Sequence, residues 1–181
     1  KYCDGLGACI GECPTGALTI VEREAEEFNV EAVGKHLAGR KATITGGTST
    51  DASSLSHWPV QIRLVPPNAP FLKGADLLIV ADCVPIAFPS FHSEFLEGKA
   101  VMMGCPKFDD VESYIDKFQQ IFESADVKRI TVAVMEVPCC SGLPMIVKKA
   151  MAASEKAIPM EKVVISTKGK ILERTAELPV V

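Results

Sequence analysis

The chain has 181 residues, 48% hydrophobic and 6% aromatic, which is enough apolar material for one packed domain with a small appendage and too much for a disordered polymer. Its formal net charge of −4 gives no electrostatic reason to expect nucleic acid or an anionic membrane as a partner. No apolar run reaches the length of a transmembrane helix and no secretory signal pattern opens the chain, so the cytoplasm is the expected location. Seven cysteines, an odd number set among apolar or glycine-rich neighbours, read as metal thiolates in a reducing compartment rather than as a disulfide framework.

The first stretch with evident chemistry is CDGLGACIGECPTGALTI, residues 3 to 20. Cys3, Cys9 and Cys13, followed by Pro14, fall on the first, third and fourth cysteines of the run C-x2-C-x2-C-x3-C-P, with Leu6 at the second. Thiolates at this spacing can wrap an iron-sulfur cube, and Gly5, Gly7 and Gly11 let the backbone approach its sulfides. Cysteines scattered singly are often just small buried apolar groups, but a clustered run of this spacing argues against that reading. The stretch resembles the second half of a two-cluster 4Fe-4S ferredoxin domain. The resemblance implies that Cys13 serves a cluster whose other ligands precede Lys1, so the chain, which lacks an initiating Met, is expected to be a fragment missing its first cluster motif. Leu6 cannot ligate iron, so the Cys3/Cys9 cluster would keep an open site, vacant as in a 3Fe-4S cluster or filled from outside; Asp4 is the nearest alternative ligand.

After an acidic run, EREAEEF, the segment NVEAVGKHLAG places Asn29 as an N-cap, Val30, Val33 and Leu37 at helical spacing and Gly39 past the end, which predicts a short helix. His36 beside that stripe, with no second ligand type within a turn, reads as a surface or partly packed histidine. Residues 40 to 56 are polar and aperiodic, a linker; the Gly46-Gly47 pair in it matches no phosphate-loop pattern. VQIRLV, residues 60 to 65, alternates as a half-buried strand would, and Trp58 before it reads as a packing residue. The expected domains are therefore 1–28, half of a cluster-binding domain; 29–56, helix and linker; and 57–181, an α/β domain.

Within the last of these, ADLLIVAD, KAVMMGC, RITVAVME and KVVIST are nearly continuous apolar runs, the signature of parallel strands buried on both faces. DDVESYIDKFQQIFESA sets Val111, Tyr114, Ile115, Phe118, Ile121 and Phe122 on one helical face, with Asp109 and Glu112 in a capping-box pattern. LPMIVKKAMAAS reads as a second helix with Leu143, Ile146, Val147, Ala150 and Met151 inward, and SFHSEFLEG as a shorter helical segment. The alternation predicts an α/β fold: a parallel sheet of about four strands flanked by helices, with right-handed crossovers.

The other four cysteines then form a pattern. Cys83, Cys105, Cys139 and Cys140 each follow the C-terminal end of a predicted strand, the edge where ligands of open parallel sheets bind. Cys140 also precedes a helix whose N-terminus favours a thiolate or an anionic cluster. Burial of Cys83 and Cys105 as ordinary core residues is the plain alternative. Four thiolates match an iron-sulfur cluster or an all-cysteine zinc site, and the run at residues 3 to 13 favours iron. His92, beyond Cys83, reads as solvent-facing rather than as a substitute ligand.

With CDGLGAC at 3 to 9, HWPVQIRLVPPNAP at 57 to 70, ADC at 81 to 83, GCPK at 104 to 107 and EVPCCSG at 136 to 142, the chain as a whole resembles a prokaryotic family of 4Fe-4S-binding proteins that fuse a two-cluster ferredoxin domain to an α/β domain. That resemblance implies 4Fe-4S binding and electron transfer, as an oxidoreductase component, through Cys3, Cys9, Cys13 and the four strand-end cysteines, with a redox partner protein and the missing N-terminal segment as partners. Two other readings stay open: a thiol-disulfide enzyme or sensor using Cys139 and Cys140, and a zinc-stabilised interaction module.

Overall fold

The computed structural model describes residues 53–177, together with Glu24 and Glu31. The chain divides into two compact units, Lys1–Ala52 and Ser53–Val181, and the architecture below is that of the second. The run carrying Cys3, Cys9 and Cys13, with Asp4 and Leu6, and, apart from Glu31, the helix expected from Asn29 to Gly39, with His36, lie outside the described residues.

The apolar runs form strands because a strand whose two faces are both covered has no polar face to show. In chain order the elements are β1 (Asp76–Ala81), a short helix α1 (Val84–Ala87), a single π-turn (His92–Leu96), β2 (Ala100–Gly104), α2 (Val111–Ser124), β3 (Arg129–Met135), a 3-10 turn (Pro138–Cys140), α3 (Gly142–Ala153), β4 (Met160–Ile165) and β5 (Ile171–Glu177). The strands lie in the order β2-β1-β3-β4-β5, the first four parallel and β5 antiparallel to β4. Leu77, Leu78, Ile79 and Val80 of β1 are fully buried, as are Ile130, Val132 and Ala133 of β3 beside them. Each larger aliphatic side chain so placed contributes about 1.5–3 kcal/mol relative to exposure, so the two central strands anchor the core.

Both expected long helices form. Tyr114, Phe118, Ile121 and Phe122 of α2 are buried, and Leu143, Ile146, Val147 and Ala150 of α3 likewise, with Lys148 and Lys149 exposed. The two helices pack against each other on one face of the sheet. Because β1 leads outward to β2 while β3 returns to the other side of β1, right-handed crossovers put α1 and the π-turn on the opposite face.

Four corrections concern smaller elements. The sheet has a fifth strand, β5, in ILERTAE, joined to β4 by a turn at Gly169; this glycine has φ +71°, and a Cβ there would strike the Ala87 carbonyl. The segment VQIRLV is not a regular strand. Only Gln61 bridges to Met103 of β2, after which the amides of Leu64 and Val65 both turn back to the Gln61 carbonyl. Trp58 is not packed into the core of this unit: it is 73% exposed. The cap of α2 is Asp110, whose carboxylate accepts from the Glu112 amide at 3.2 Å, which frees Asp109 for a different task.

Candidate functional site

In this strand order the connections leave β1 and β3 in opposite directions, and the crevice between their C-terminal ends is the topological switch point at which open α/β sheets bind their ligands. The loop after β1 carries Asp82 and Cys83; the loop after β3 carries Cys139 and Cys140. Cys105 follows β2, the next strand over. All four strand-end cysteines therefore belong to one edge of the sheet, on loops from three adjacent strands.

Short-range hydrogen bonds hold these loops. The Asp82 amide donates to the Gly104 carbonyl at 3.3 Å, tying the β1 loop to the end of β2, and the Ala87 amide donates to the Cys83 carbonyl at 3.0 Å as α1 begins. In the β3 loop the Cys140 amide donates to Val137 at 3.1 Å and the Ser141 hydroxyl to the Pro138 carbonyl at 2.7 Å. The Glu136 carboxylate accepts from the Thr167 amide at 2.8 Å and its hydroxyl at 3.0 Å, fastening the β3 loop to the β4–β5 turn; these two bonds hold its pKa below the usual carboxylate value. Pro106, next to Cys105, has its Cβ 3.8 Å from where a Cβ on Gly142 would stand, which brings the β2 loop to the start of α3.

The thiols differ in their surroundings. Cys83 and Cys139 are exposed, Cys105 is half-buried and Cys140 is buried. Burial pushes the Cys140 thiol up in pKa, and a bond from the Met135 backbone opposes this; hydrogen bonding to Cys139 and the charges of Cys139 and Cys83 raise it further. Exposed apolar side chains follow the thiols in the chain: Ile86 in α1 after Cys83, Phe108 in the loop after Cys105 and Met145 in the first turn of α3 after Cys140.

A carboxylate group at this edge was not legible beforehand. Asp109 Oδ2 accepts from the Tyr114 hydroxyl and, at 3.3 Å, from the Cys105 amide, so it fixes the loop that presents Cys105; Arg63 lies 3.8 Å from its other oxygen. Burial, the Asp109 bond and the neighbouring carboxylates push the Tyr114 phenol far above its ordinary pKa, leaving it a hydrogen-bond donor. Asp82 is raised in pKa by burial and by the charge of Asp109, against a stabilising bond from Gln61. The only sequence signal for these residues was acidic side chains next to strand-end cysteines.

Among the described residues no three of His, Cys, Asp and Glu converge so as to hold a single metal ion. A tetrahedral zinc site requires every sulfur about 2.3 Å from one point, so the zinc-module expectation gains no support from this edge. A polynuclear cluster has separate irons and receives its thiolates farther apart, and a dithiol needs only two sulfurs. His92 is exposed.

The family model of a Rossmann-like domain matches residues 69–179, and the chain belongs to that family. An uncharacterized protein of Archaeoglobus fulgidus is 37% identical over 117 residues, covering 65% of this chain and 82% of that protein. No solved structure matches. These findings correct the family expected from the sequence: the membership shown is Rossmann-like, and no ferredoxin-type or iron-sulfur family appears. The physical reason is where the motifs lie. ADC, GCPK and EVPCCSG, quoted for that resemblance, are turns of the Rossmann-like sheet, and the ferredoxin-like spacing is confined to the first twenty residues. The first strand-to-helix turn of this sheet reads ADCVP where a dinucleotide-binding turn would have G-x-G-x-x-G, so a cysteine and a proline stand where glycine amides would face a pyrophosphate.

Proposed function

We propose that this is a redox protein whose strand-end cysteines bind an iron-sulfur cluster and exchange electrons with a partner protein in a reducing, cytoplasmic setting. The observation that carries this reading is the arrival of Cys83, Cys105, Cys139 and Cys140 at one sheet edge from three adjacent strands, around the switch point. Soft thiolates are the ligands that iron-sulfur clusters take. Cys3, Cys9 and Cys13 are further candidate ligands on the other unit. The exposed Ile86, Phe108 and Met145 suit apolar contact with a redox partner beside the thiols.

The test is iron and acid-labile sulfide per chain after anaerobic purification, for the native protein and for the Cys83→Ser/Cys139→Ser double variant. A strand-edge cluster predicts about four of each in the native protein and their loss in the variant. Unchanged iron in a folded double variant would overturn the assignment to this edge.

One observation favours a second reading. Cys139 and Cys140 are adjacent in the chain on one loop, one exposed and one buried, at the same sheet edge as the exposed Cys83. Two of these thiols could close a disulfide, releasing two electrons and two protons to a disulfide or quinone acceptor. Metal-free protein would then lose about two titratable thiols on mild oxidation and regain them with dithiothreitol.

A further inference from the structure

β2 is an edge strand, and an edge strand leaves a row of backbone donors and acceptors to be satisfied. Here the chain preceding the sheet lies along it. The Met103 amide donates to the Val60 carbonyl at 2.7 Å and the Ile62 amide to the Met103 carbonyl at 2.9 Å, both ordinary ladder bonds. One repeat back, at Val101, the ladder continues with a side chain: the Val101 amide donates to His57 Nε2 at 2.8 Å. The ring is stacked on Phe71 with centroids 3.9 Å apart and planes 12° from parallel.

The imidazole therefore stands in for a backbone carbonyl, and only its neutral form with the proton on Nδ1 can do so. Nδ1 is buried, facing the Pro59 carbonyl without a well-formed hydrogen bond. We propose that His57 is an acid-sensitive latch that holds the segment 57–62 on the edge of β2, and that its protonation releases this segment and uncovers the sheet edge. A proton on Nε2 would set two donors head to head at 2.8 Å, and a half-buried charge would be added with only the Pro59 carbonyl to receive it.

The groups packed on the ring carry no counter-charge: Phe71 comes from the turn before β1, Val101 is the backbone of β2, and Pro59 offers a carbonyl. Among the described residues no carboxylate, ammonium or guanidinium contributes to its protonation balance; burial lowers its pKa and the Pro59 carbonyl partly restores it. The sign follows. A histidine depressed in the folded state adds stability above its ordinary value of about 6.5, and that stability is lost as pH falls toward the lower folded value. Release matters to the thiol edge because the same segment ends at Gln61, which bridges to Met103 of β2, and at Ile62, which packs under Gly104 beside Cys105.

Trp58, the only tryptophan of the chain, adjoins the latch and reports on it. The experiment follows Trp58 fluorescence and Val101 amide exchange, corrected for intrinsic rate, from pH 8 to pH 4.5 in the native protein, His57→Gln and His57→Ala. In the native protein Val101 protection should drop roughly tenfold, the worth of one hydrogen bond, in a transition centred below the ordinary histidine value and accompanied by a Trp58 change. His57→Gln keeps an acceptor that cannot titrate and should stay latched throughout; His57→Ala should be released at every pH. A transition of the same midpoint in His57→Gln, or Val101 protection unaffected as the His57 ring protonates by NMR, would overturn the latch.

Discussion

Gly104 ends β2 directly beneath the Tyr114 ring, and the pair shows how tightly one position can be prescribed. A Cβ on residue 104 would fall on the Tyr114 hydroxyl and within 2.8 Å of Ile62 Cδ1. Gly104→Ala should therefore cost about 1–3 kcal/mol in urea unfolding, the usual penalty of overpacking. The cost should shrink in a Tyr114→Phe background, because the two changes share one contact. Glu136 gives a prediction of opposite character. Its carboxylate is held below its ordinary value of 4.5 by Thr167, so its contribution to stability is present above that value and is lost as pH falls through the folded value. NMR titration should place the Glu136 midpoint below 4.5, and Thr167→Val should move it back upward. Residue-scale chemistry was only half legible beforehand. Cys83, Cys105, Cys139 and Cys140 could be placed at one edge because strand ends are visible in apolar runs. Asp109 and His57 could not, because their partners, the Cys105 and Val101 amides, are backbone groups that the sequence does not distinguish.

At the scale of elements, α2 is set by one carboxylate. Asp110 caps its first turn, and Ser113 returns its hydroxyl to the Asp110 carbonyl at 2.7 Å. Asp110→Ala should lower stability by about 0.5–2 kcal/mol, read as a fall in the urea midpoint at constant slope. Asp109→Asn should act differently: it leaves the cap intact, weakens the Tyr114 and Cys105 bonds, and changes alkylation of Cys105 more than it changes stability. The adjacent aspartates explain why the capping pattern was read one residue early, since either fits the sequence rule. The four parallel strands and both long helices were legible because doubly buried strands and amphipathic helices write strong, distinct periods. β5 was not, because an edge strand with one solvent face keeps only Ile171, Thr175 and Glu177 partly covered, and its charges masked the pattern. VQIRLV misled for the converse reason: its apolar residues pack, but around a turn.

For the molecule as a whole, the thiols at the switch point should report different depths of opening. Cys140 is 4% exposed and lies between β3 and the start of α3, so a reagent reaches it only when that contact opens. Peptide mapping after iodoacetamide treatment of metal-free protein should find Cys83 and Cys139 labelled in the folded state and Cys140 labelled at a rate that tracks global unfolding in urea. Early labelling of Cys140 would mean that the β3 loop opens by itself.

The glycine beneath Tyr114 also has a bearing on how such a sequence can drift. Positions 62, 104 and 114 share one small volume, so a lineage that gains a side chain at 104 must first shed the phenol at 114 or shorten the isoleucine at 62. Losing the phenol loosens Asp109, and with it the loop that carries Cys105. Substitutions at these sites should therefore be ordered in time, and descendants that have abandoned the glycine should be those in which the loop after β2 no longer holds Cys105 in place.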